Sequence, residues 1–294
     1  MDTPIAAHLV VFRLIHRIFA FVFPFKRCKE KHLMALMLTL KRHALLTYFV
    51  LAYVLTWACW IPLAISKDTA SLRFSVLFGL GSIMPSLVGI LLTELFSGKS
   101  GLGELFRRLG QVRAPLFWYA IVLLLVPVLT LVAVGVPTLL GLATIAFVWP
   151  TVLRVLKAFG AGLGEELGWR GFALPRLQAR QQALPASLLL GLLWGLWHLP
   201  LKIANSLPPL GFISFFLGII AYAVLFTWVY NNTKGSLFLM VLFHAVIDIV
   251  FVYNPSNTWI VPVLYLILLW VAVTIVVVMA GAARLSRSSN LAPA

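Results

Sequence analysis

Three short motifs place ionisable side chains in the middle of otherwise apolar segments. The first is Gly-Glu-Glu-Leu-Gly-Trp-Arg, which contains Glu165, Glu166 and Arg170. The other two join residues four positions apart: Trp194 and His198, His244 and Asp248. Residues three and four apart share one face of a helix, so each motif presents its polar groups in one direction. A charge at bilayer depth costs roughly 2.5 to 3.5 kcal/mol, and the motifs therefore predict a functional site.

Carboxylates and histidines in a dry, helix-walled cavity can support hydrolysis in two ways. A carboxylate can act as a general base towards a bound water molecule, while a histidine positions that water or carries its proton. Alternatively, two imidazoles and a carboxylate with an open fourth position form a hydrolytic zinc site. The ligands of Zn²⁺ would then come from four residues: Glu165, His198, His244 and Asp248. Both routes activate water, and the residues alone leave the choice open.

Each of these residues also has a purely structural interpretation. Glu166 and Arg170 are spaced to form a buried ion pair that fixes one helix, and Trp194 can serve as an aromatic wall. A single intramembrane histidine usually satisfies a hydrogen bond between helices. Helix packing, however, does not require that nearly all buried ionisable groups collect on three helices. We therefore treat the carboxylate and histidine residues as catalytic candidates, with Glu166, Arg170 and Trp194 as supporting residues.

The composition indicates that a membrane protein must position these motifs. Of its 294 residues, 62% are hydrophobic and 11% are charged, whereas soluble domains average about 25% charged residues. The apolar runs reach the roughly 20 residues of a helical span and lack the alternation of barrel strands. We predict an all-α integral membrane protein with about eight transmembrane helices. They are 44–66, 74–97, 115–136, 151–174, 184–203, 210–230, 236–253 and 259–280.

One transmembrane domain, 44–283, contains the core motifs within 164–250. It follows an amphipathic and basic segment, 1–43, and precedes a polar tail, 284–294. The N-terminal segment predicts a helix lying on the membrane surface, with an organellar targeting peptide as the alternative. With both termini cytoplasmic, 17 of the 23 Lys and Arg residues lie on the cytoplasmic side and 5 on the other. This positive-inside pattern explains the net charge of +15 without nucleic-acid binding.

The three motifs, in this order on separate helices, resemble the CPBP (CAAX protease and bacteriocin-processing, or Abi) family of intramembrane proteases. That family includes the eukaryotic CAAX prenyl endopeptidase. The similarity covers roughly residues 79–253. It includes residues beside the catalytic candidates, in the segments Gly-Glu-Glu-Leu-Gly-Trp-Arg-Gly and Trp-His-Leu-Pro. It implies an intramembrane protease that has been described both as glutamate-based and as metal-dependent, so Zn²⁺ stays an open alternative.

The resemblance also implies a role for each motif. Glu165 would activate water that His198 helps to hold, and the rest of the first motif would support the site. His244 and Asp248 would face the scissile carbonyl as an oxyanion hole. Two positions depart from the family pattern. Trp194 stands where the family usually has a phenylalanine, and Asp248 stands where it often has an asparagine. The second departure matters more, since an ionised carboxylate cannot donate a hydrogen bond to an oxyanion.

We therefore predict an intramembrane endopeptidase that cleaves near the cytoplasmic side of a prokaryotic plasma membrane. Its expected partners are the lipid bilayer and a membrane-embedded or lipidated protein or peptide, with prenylated CAAX-type segments among the candidates. Zn²⁺ is the one cofactor that the residues suggest. A non-catalytic membrane immunity or binding protein of the same fold is the alternative. A proton-coupled transporter is less favoured, because the sequence lacks the internal repeats expected of one.

Overall fold

A computed structural model describes residues 30–66, 71–204, 209–249, 252–253 and 258–286. The predicted amphipathic helix near the N-terminus and most of the polar tail lie outside these ranges. The helices are α1 (Glu30–Arg42), α2 (Ala44–Ser66), α3 (Leu72–Leu109), α4 (Leu116–Leu139), α5 (Val152–Gly168), a π-helical turn (Trp169–Ala173), α6 (Leu174–Gln178), α7 (Ala183–Trp197), α8 (Leu199–Ala204), α9 (Pro209–Asn232), α10 (Leu237–Asp248) and α11 (Ile260–Ala280). Two short strands, β1 (Ala146–Phe147) and β2 (Val252–Tyr253), pair antiparallel.

The predicted all-α membrane class is confirmed. Five helices in the described ranges, α2, α3, α4, α9 and α11, are long and apolar enough to cross a membrane. Two shorter apolar helices, α7 and α10, lie among them together with α5, so each of the eight predicted spans coincides with a helix. Many leucine, valine and isoleucine side chains of the long helices are exposed on the outer surface, as lipid-facing side chains are. The chain is a multi-pass integral membrane protein.

Helix α3 combines the second predicted span with the basic connector that follows it. Gly98 interrupts the helix with a φ of 62° and a ψ of −159°. Glycine adopts a positive φ at little cost because it has no Cβ. The predicted end of the span at residue 97 therefore coincides with the interruption at Gly98.

The fourth predicted span, 151–174, has a different end from the one expected. Its regular part, α5, stops at Gly168, and the π-helical turn leads directly into α6. Pro175, directly after the predicted end of the span, does not end the helix but lies in the first turn of α6. Proline is tolerated there because the first turn of a helix leaves its N–H groups unpaired. The π-helical turn carries Arg170, which follows Glu166 by one turn.

The fifth and seventh predicted spans are shorter than the expected ranges. Helix α7 ends with a turn at His198, because Pro200 has no N–H to donate to the carbonyl of Leu196. Helix α10 ends at Asp248 and the chain then forms β2, which pairs with β1. These corrections place His198 and Asp248 at helix ends, where neither was expected.

Glycines allow α5 to lie directly against α3. A Cβ atom at Gly168 would stand 2.2 Å from the carbonyl oxygen of Pro85, and one at Gly164 would stand 2.8 Å from that of Ser82. A Cβ at Gly160, by contrast, would meet nothing within 4 Å. Gly164 and Gly168 therefore serve close helix contact, whereas Gly160 faces open space.

Replacing Gly168 by alanine is expected to destabilise the protein by about 1 to 3 kcal/mol, because the added methyl group overlaps backbone atoms of α3. Gly160→Ala is the matched control. It adds the same methyl group to open space and should be neutral or stabilising, since alanine favours helix by about 1 kcal/mol over glycine. Thermal unfolding in detergent measures both variants. Equal shifts in Tm would contradict the packing interpretation.

On its other side, α5 lies against α10. A Cβ atom at Gly162 would stand 2.9 Å from the carbonyl oxygen of Val241 and 3.3 Å from Cβ of His244. Gly162 lies two residues from Gly160 and from Gly164, so it is on a different side of α5 from the glycines that contact α3. Its lack of a side chain brings the histidine of the third motif next to the carboxylates of the first.

Polar contacts hold together the end of the bundle at which α3 and α9 finish. Arg108 donates to the carbonyl of Gly235 at 3.1 Å and to the hydroxyl of Tyr230 at 2.5 Å. Gln111 donates to the carbonyl of Thr233 at 2.8 Å. We call this the basic end, after the arginines that it carries: Arg107, Arg108, Arg113, Arg176, Arg180 and Arg284. It carries two of the clusters that the positive-inside pattern assigns to the cytoplasm.

Candidate active site

The three motifs converge where α5, α7 and α10 meet. The Glu165 carboxylate is buried, with 4% of the residue exposed. Its Oε2 accepts a hydrogen bond from Nε1 of Trp194 at 2.7 Å, and its Oε1 lies 3.8 Å from Nε2 of His244. One carboxylate oxygen is therefore anchored, while the other faces an imidazole nitrogen.

Glu166 holds two partners with a single oxygen. Its Oε1 accepts a hydrogen bond from Nη1 of Arg170 at 2.8 Å and lies 2.7 Å from Nδ1 of His244. Because an ionised carboxylate only accepts, Nδ1 of His244 carries the proton of this contact. The ion pair predicted from the spacing of Glu166 and Arg170 is present, and it also fixes the orientation of His244. Glu166 thereby directs the other ring nitrogen, Nε2, towards Glu165.

Arg170 is fully buried between two aromatic rings. Its guanidinium carbon lies 4.3 Å from the centroid of Trp194 and 4.1 Å from that of Phe226. Such contacts stabilise a desolvated cation through the negative faces of the rings. The π-helical turn that carries Arg170 is a feature often found at functional sites. Arg170 therefore stabilises two side chains of the site: the Glu166 carboxylate and the Trp194 indole, which anchors Glu165.

Trp194 does more than form the predicted aromatic wall. Its indole nitrogen is the hydrogen-bond donor to Glu165, while its backbone carbonyl accepts from Nδ1 of His198 at 2.9 Å. His198 and Glu165 are thus both bonded to Trp194, and among the described contacts they do not meet directly. The contact to the carbonyl leaves Nε2 of His198 available for another partner.

Asp248, the last residue of α10, approaches the site from the open side. Its Oδ2 lies 3.7 Å from Nε2 of His244, and its side chain is 42% exposed. Glu166, and not Asp248, orients the His244 ring, because Glu166 makes the shorter and fully buried contact. Three carboxylates, those of Glu165, Glu166 and Asp248, lie within 4 Å of the ring nitrogens of His244.

The suggested zinc site has no matching ligand set in the described ranges. No three His, Cys, Asp or Glu side chains there form a group that could hold a metal ion. Several ligand atoms are bonded elsewhere: Oε2 of Glu165 to Trp194, Nδ1 of His244 to Glu166 and Nδ1 of His198 to a carbonyl. The residues present therefore do not fit a zinc centre, and we derive no chemical step through a metal.

A cavity of about 600 Å³ opens beside these side chains. Trp194, His198, His244 and Asp248 line one part of it, and the remainder is largely apolar. The lining comes from α4, the ends of α7 and α10, Lys202 of α8, and the parts of α9 and α11 that run from their N-termini to Tyr222 and Leu266. Because the basic end carries the opposite ends of α7, α9, α10 and α11, the cavity lies in the other half of the bundle.

Sequence reasoning missed several residues that line this cavity. The hydroxyls of Tyr222 and Tyr265 are hydrogen-bonded to each other and link α9 to α11. Lys202 and Ser214 also contribute to the lining. Lys202 follows His198 by four residues, a spacing that would have pointed to it. The tyrosines and Ser214 share no spacing with the three motifs, so the sequence carried no signal for them.

Comparison with known proteins connects this geometry to a family. The family model of "Type II CAAX prenyl endopeptidase Rce1-like" matches residues 147–250. CAAX prenyl protease 2 of Methanococcus maripaludis is 36% identical over 93 residues, which is 29% of this chain and 34% of that protein. The chain therefore matches about a third of the length of this archaeal relative. Residues 147–250 contain all three motifs, and the match confirms the resemblance that the motifs suggested.

Proposed function

Because residues 147–250 are related to the CAAX prenyl endopeptidases, we propose that this membrane protein is an intramembrane endopeptidase. Its substrate is a lipidated or membrane-embedded protein or peptide, and the archaeal relative's name favours a prenylated CAAX-type segment in a prokaryotic plasma membrane. One observation carries the proposal. The buried Glu165 has one oxygen anchored by Trp194 and the other turned towards His244, and both of these partners line the cavity.

In the proposed reaction, Glu165 acts as the general base. Its Oε1 takes a proton from a water molecule while the water oxygen forms a bond to the scissile carbonyl carbon. The carbonyl electron pair moves onto the carbonyl oxygen and gives a tetrahedral oxyanion. When this collapses, the C–N bond breaks and the proton on Glu165 passes to the leaving amine. His198, with Nδ1 held by the carbonyl of Trp194, offers Nε2 as a second contact for the water.

His244 provides the positive charge that the oxyanion requires. The three carboxylates around its ring stabilise an imidazolium, because opposite charges at about 4 Å attract strongly away from bulk water. Nε2–H can then donate to the oxyanion, a kind of preorganised contact worth roughly 10²- to 10³-fold in rate. Asp248 cannot donate in its ionised form, but its position near Nε2 supports this charge. Aspartate in place of asparagine is therefore compatible with hydrolysis.

The test is cleavage by purified protein in detergent. A farnesylated C-terminal CAAX peptide, the same peptide without the lipid, and a transmembrane peptide are incubated with wild type, and mass spectrometry identifies the cleaved bond. His198→Ala is expected to lower kcat by roughly 10²-fold, since the water loses one of its positioning contacts. His43→Ala, which removes an exposed histidine on the chain between α1 and α2, should leave kcat unchanged. No cleavage by wild type above the protein-free background would argue for a non-catalytic binding protein, whereas equal cleavage by wild type and His198→Ala would contradict the role given to His198.

A further inference from the structure

A second cavity, of about 330 Å³, opens between α4, α9 and α11 at the basic end. We call it the lateral groove. Trp118 and Trp228 line it with their ring centroids 4.9 Å apart, and so do the last two turns of α11. Phe117 and Met279, which also line it, are each more than half exposed. The groove is therefore open at the outer surface of the bundle, where the protein meets lipid.

The lateral groove is polar at the basic end and apolar deeper in the bundle. The polar side chain of its lining is Asn232, the last residue of α9. Because α9 and α11 both finish at the basic end, Trp228 and Ile275 lie about 6 to 8 Å deeper than Asn232 and Ala280. A peptide would leave backbone N–H and C=O groups unpaired among these apolar side chains, whereas an acyl chain has no such groups. The groove therefore suits the tail of a lipid.

Three exposed cations lie on the segments that border the polar end of the groove: Arg113, Lys234 and Arg284. Arg284 is held there because Nδ2 of Asn232 donates to the carbonyl of the next residue, Leu285, at 2.9 Å. Arg113 precedes Phe117 by four residues, and Lys234 follows Asn232 by two. None of the ion pairs found among the described residues includes any of these cations. Their charge is therefore available to an anion at the membrane surface.

We propose that the lateral groove binds an acyl chain of an anionic phospholipid, and that Arg113 and Arg284 hold its phosphate. Guanidinium groups pair with phosphate oxygens through two parallel hydrogen bonds, and basic pockets between transmembrane helices bind anionic head groups. A zwitterionic head group carries its own cation, which the three cations of the protein would repel. The groove is therefore expected to select an anionic lipid.

The bound lipid would join three helices that also form the cavity beside the candidate active site. The middle of α4 and the N-terminal parts of α9 and α11 line that cavity, whereas the lateral groove lies at the other ends of these helices. A lipid that bridges those ends should stabilise the bundle whether or not the protein cleaves peptides. This inference is thus independent of the proposed peptidase function.

Thermal unfolding of the delipidated protein in detergent tests the proposal. Phosphatidylglycerol is expected to raise Tm by about 5 °C at saturation. It should bind about tenfold more tightly than phosphatidylcholine with the same acyl chains. In the double variant Arg113→Gln with Arg284→Gln, this preference should fall to about twofold or less. The double variant Arg73→Gln with Lys157→Gln is the matched control, because it removes two exposed cations at the other end of the bundle and should keep the preference.

Ala280→Phe tests the groove itself, because the added ring fills it. Native mass spectrometry should show that this variant retains less of both lipids, whereas Val278→Phe, which adds a ring at an exposed position outside the groove, retains as much as wild type. The arginine variants change only exposed side chains, so they test the proposal even where Ala280→Phe lowers stability.

Equal binding of the two lipids by wild type would overturn the proposal, and so would an unchanged preference in the arginine double variant. Unchanged lipid retention by Ala280→Phe would place the acyl chain elsewhere. A rise in Tm of the same size with inorganic phosphate, which has the charge but no acyl chain, would also contradict a lipid site.

Discussion

Glu165→Gln is expected to lower kcat by roughly 10²- to 10⁴-fold, the usual contribution of a general base. The amide has the shape of the carboxylate, and its oxygen can still accept the hydrogen bond from Trp194. It cannot, however, take a proton from water at neutral pH. The loss should therefore fall on kcat, whereas KM and the thermal unfolding of the purified protein should change little. Single-turnover cleavage of a fluorescent peptide in detergent is the measurement.

Glu104→Gln is the matched control for Glu165→Gln. Glu104 pairs with Arg107 at 2.6 Å on the surface of α3, and both side chains are more than half exposed. Removing this carboxylate changes the net charge by the same amount, far from the candidate site, and should leave kcat at the wild-type value. A Glu165→Gln protein that cleaves as fast as Glu104→Gln would rule out Glu165 as the base. The reaction would then have to be assigned to other groups.

Arg170→Met is expected to destabilise the protein by about 3 to 5 kcal/mol, the cost of breaking a buried ion pair by removing one partner. The substitution leaves the carboxylate of Glu166 without its cation in a position with no exposure to solvent. It also removes the cation from between the rings of Trp194 and Phe226. Chemical or thermal unfolding in detergent gives the size of the loss. Activity should fall as well, because Trp194 anchors Glu165.

Arg107 and Glu104, an exposed ion pair of the same residue types, provide the comparison for Arg170→Met. Arg107→Met breaks the exposed pair with Glu104 and should cost no more than about 1 kcal/mol, since water screens such a pair. The double variant Glu166→Gln with Arg170→Met should recover much of the lost stability, because no unpaired charge remains buried. It should stay impaired in catalysis, since His244 loses its carboxylate partner. Similar destabilisation by Arg107→Met and Arg170→Met would contradict the inference that burial makes the loss of the Glu166–Arg170 pair costly.

Much of the fold follows from composition and spacing. The span predicted at 44–66 matches α2 residue for residue, because an uninterrupted apolar run with polar ends allows few alternatives. The pairing of Glu166 with Arg170 follows from their spacing on a helix. Two further features of the structure are also indicated by single residues in the sequence. Pro200 predicts the end of α7 at His198, because proline cannot donate the next helical hydrogen bond. A buried indole such as that of Trp194 requires a hydrogen-bond acceptor for its N–H.

Other features depend on contacts between helices, which no local pattern encodes. The second hydrogen bond of Glu166, to His244, requires α5 and α10 to approach at the depth that Gly162 permits. The π-helical turn at Arg170 likewise has no distinctive sequence, since its residues also suit an ordinary helix. Trp194, expected to be a wall, holds Glu165 because its indole reaches from α7 to the last turn of α5. These contacts between helices bring the polar residues of the three motifs together in one site.

The position of the cavity has a consequence for the leaflet from which a substrate enters. The cavity occupies the half of the bundle away from the basic end. The positive-inside rule places the basic end in the cytoplasm, and the cavity then belongs to the opposite leaflet. A cytoplasmic basic end and cleavage near the cytoplasmic side therefore exclude each other, and both stay predictions. If the basic end is cytoplasmic, a substrate is anchored in the opposite leaflet, and its cleaved terminus leaves on that side of the membrane.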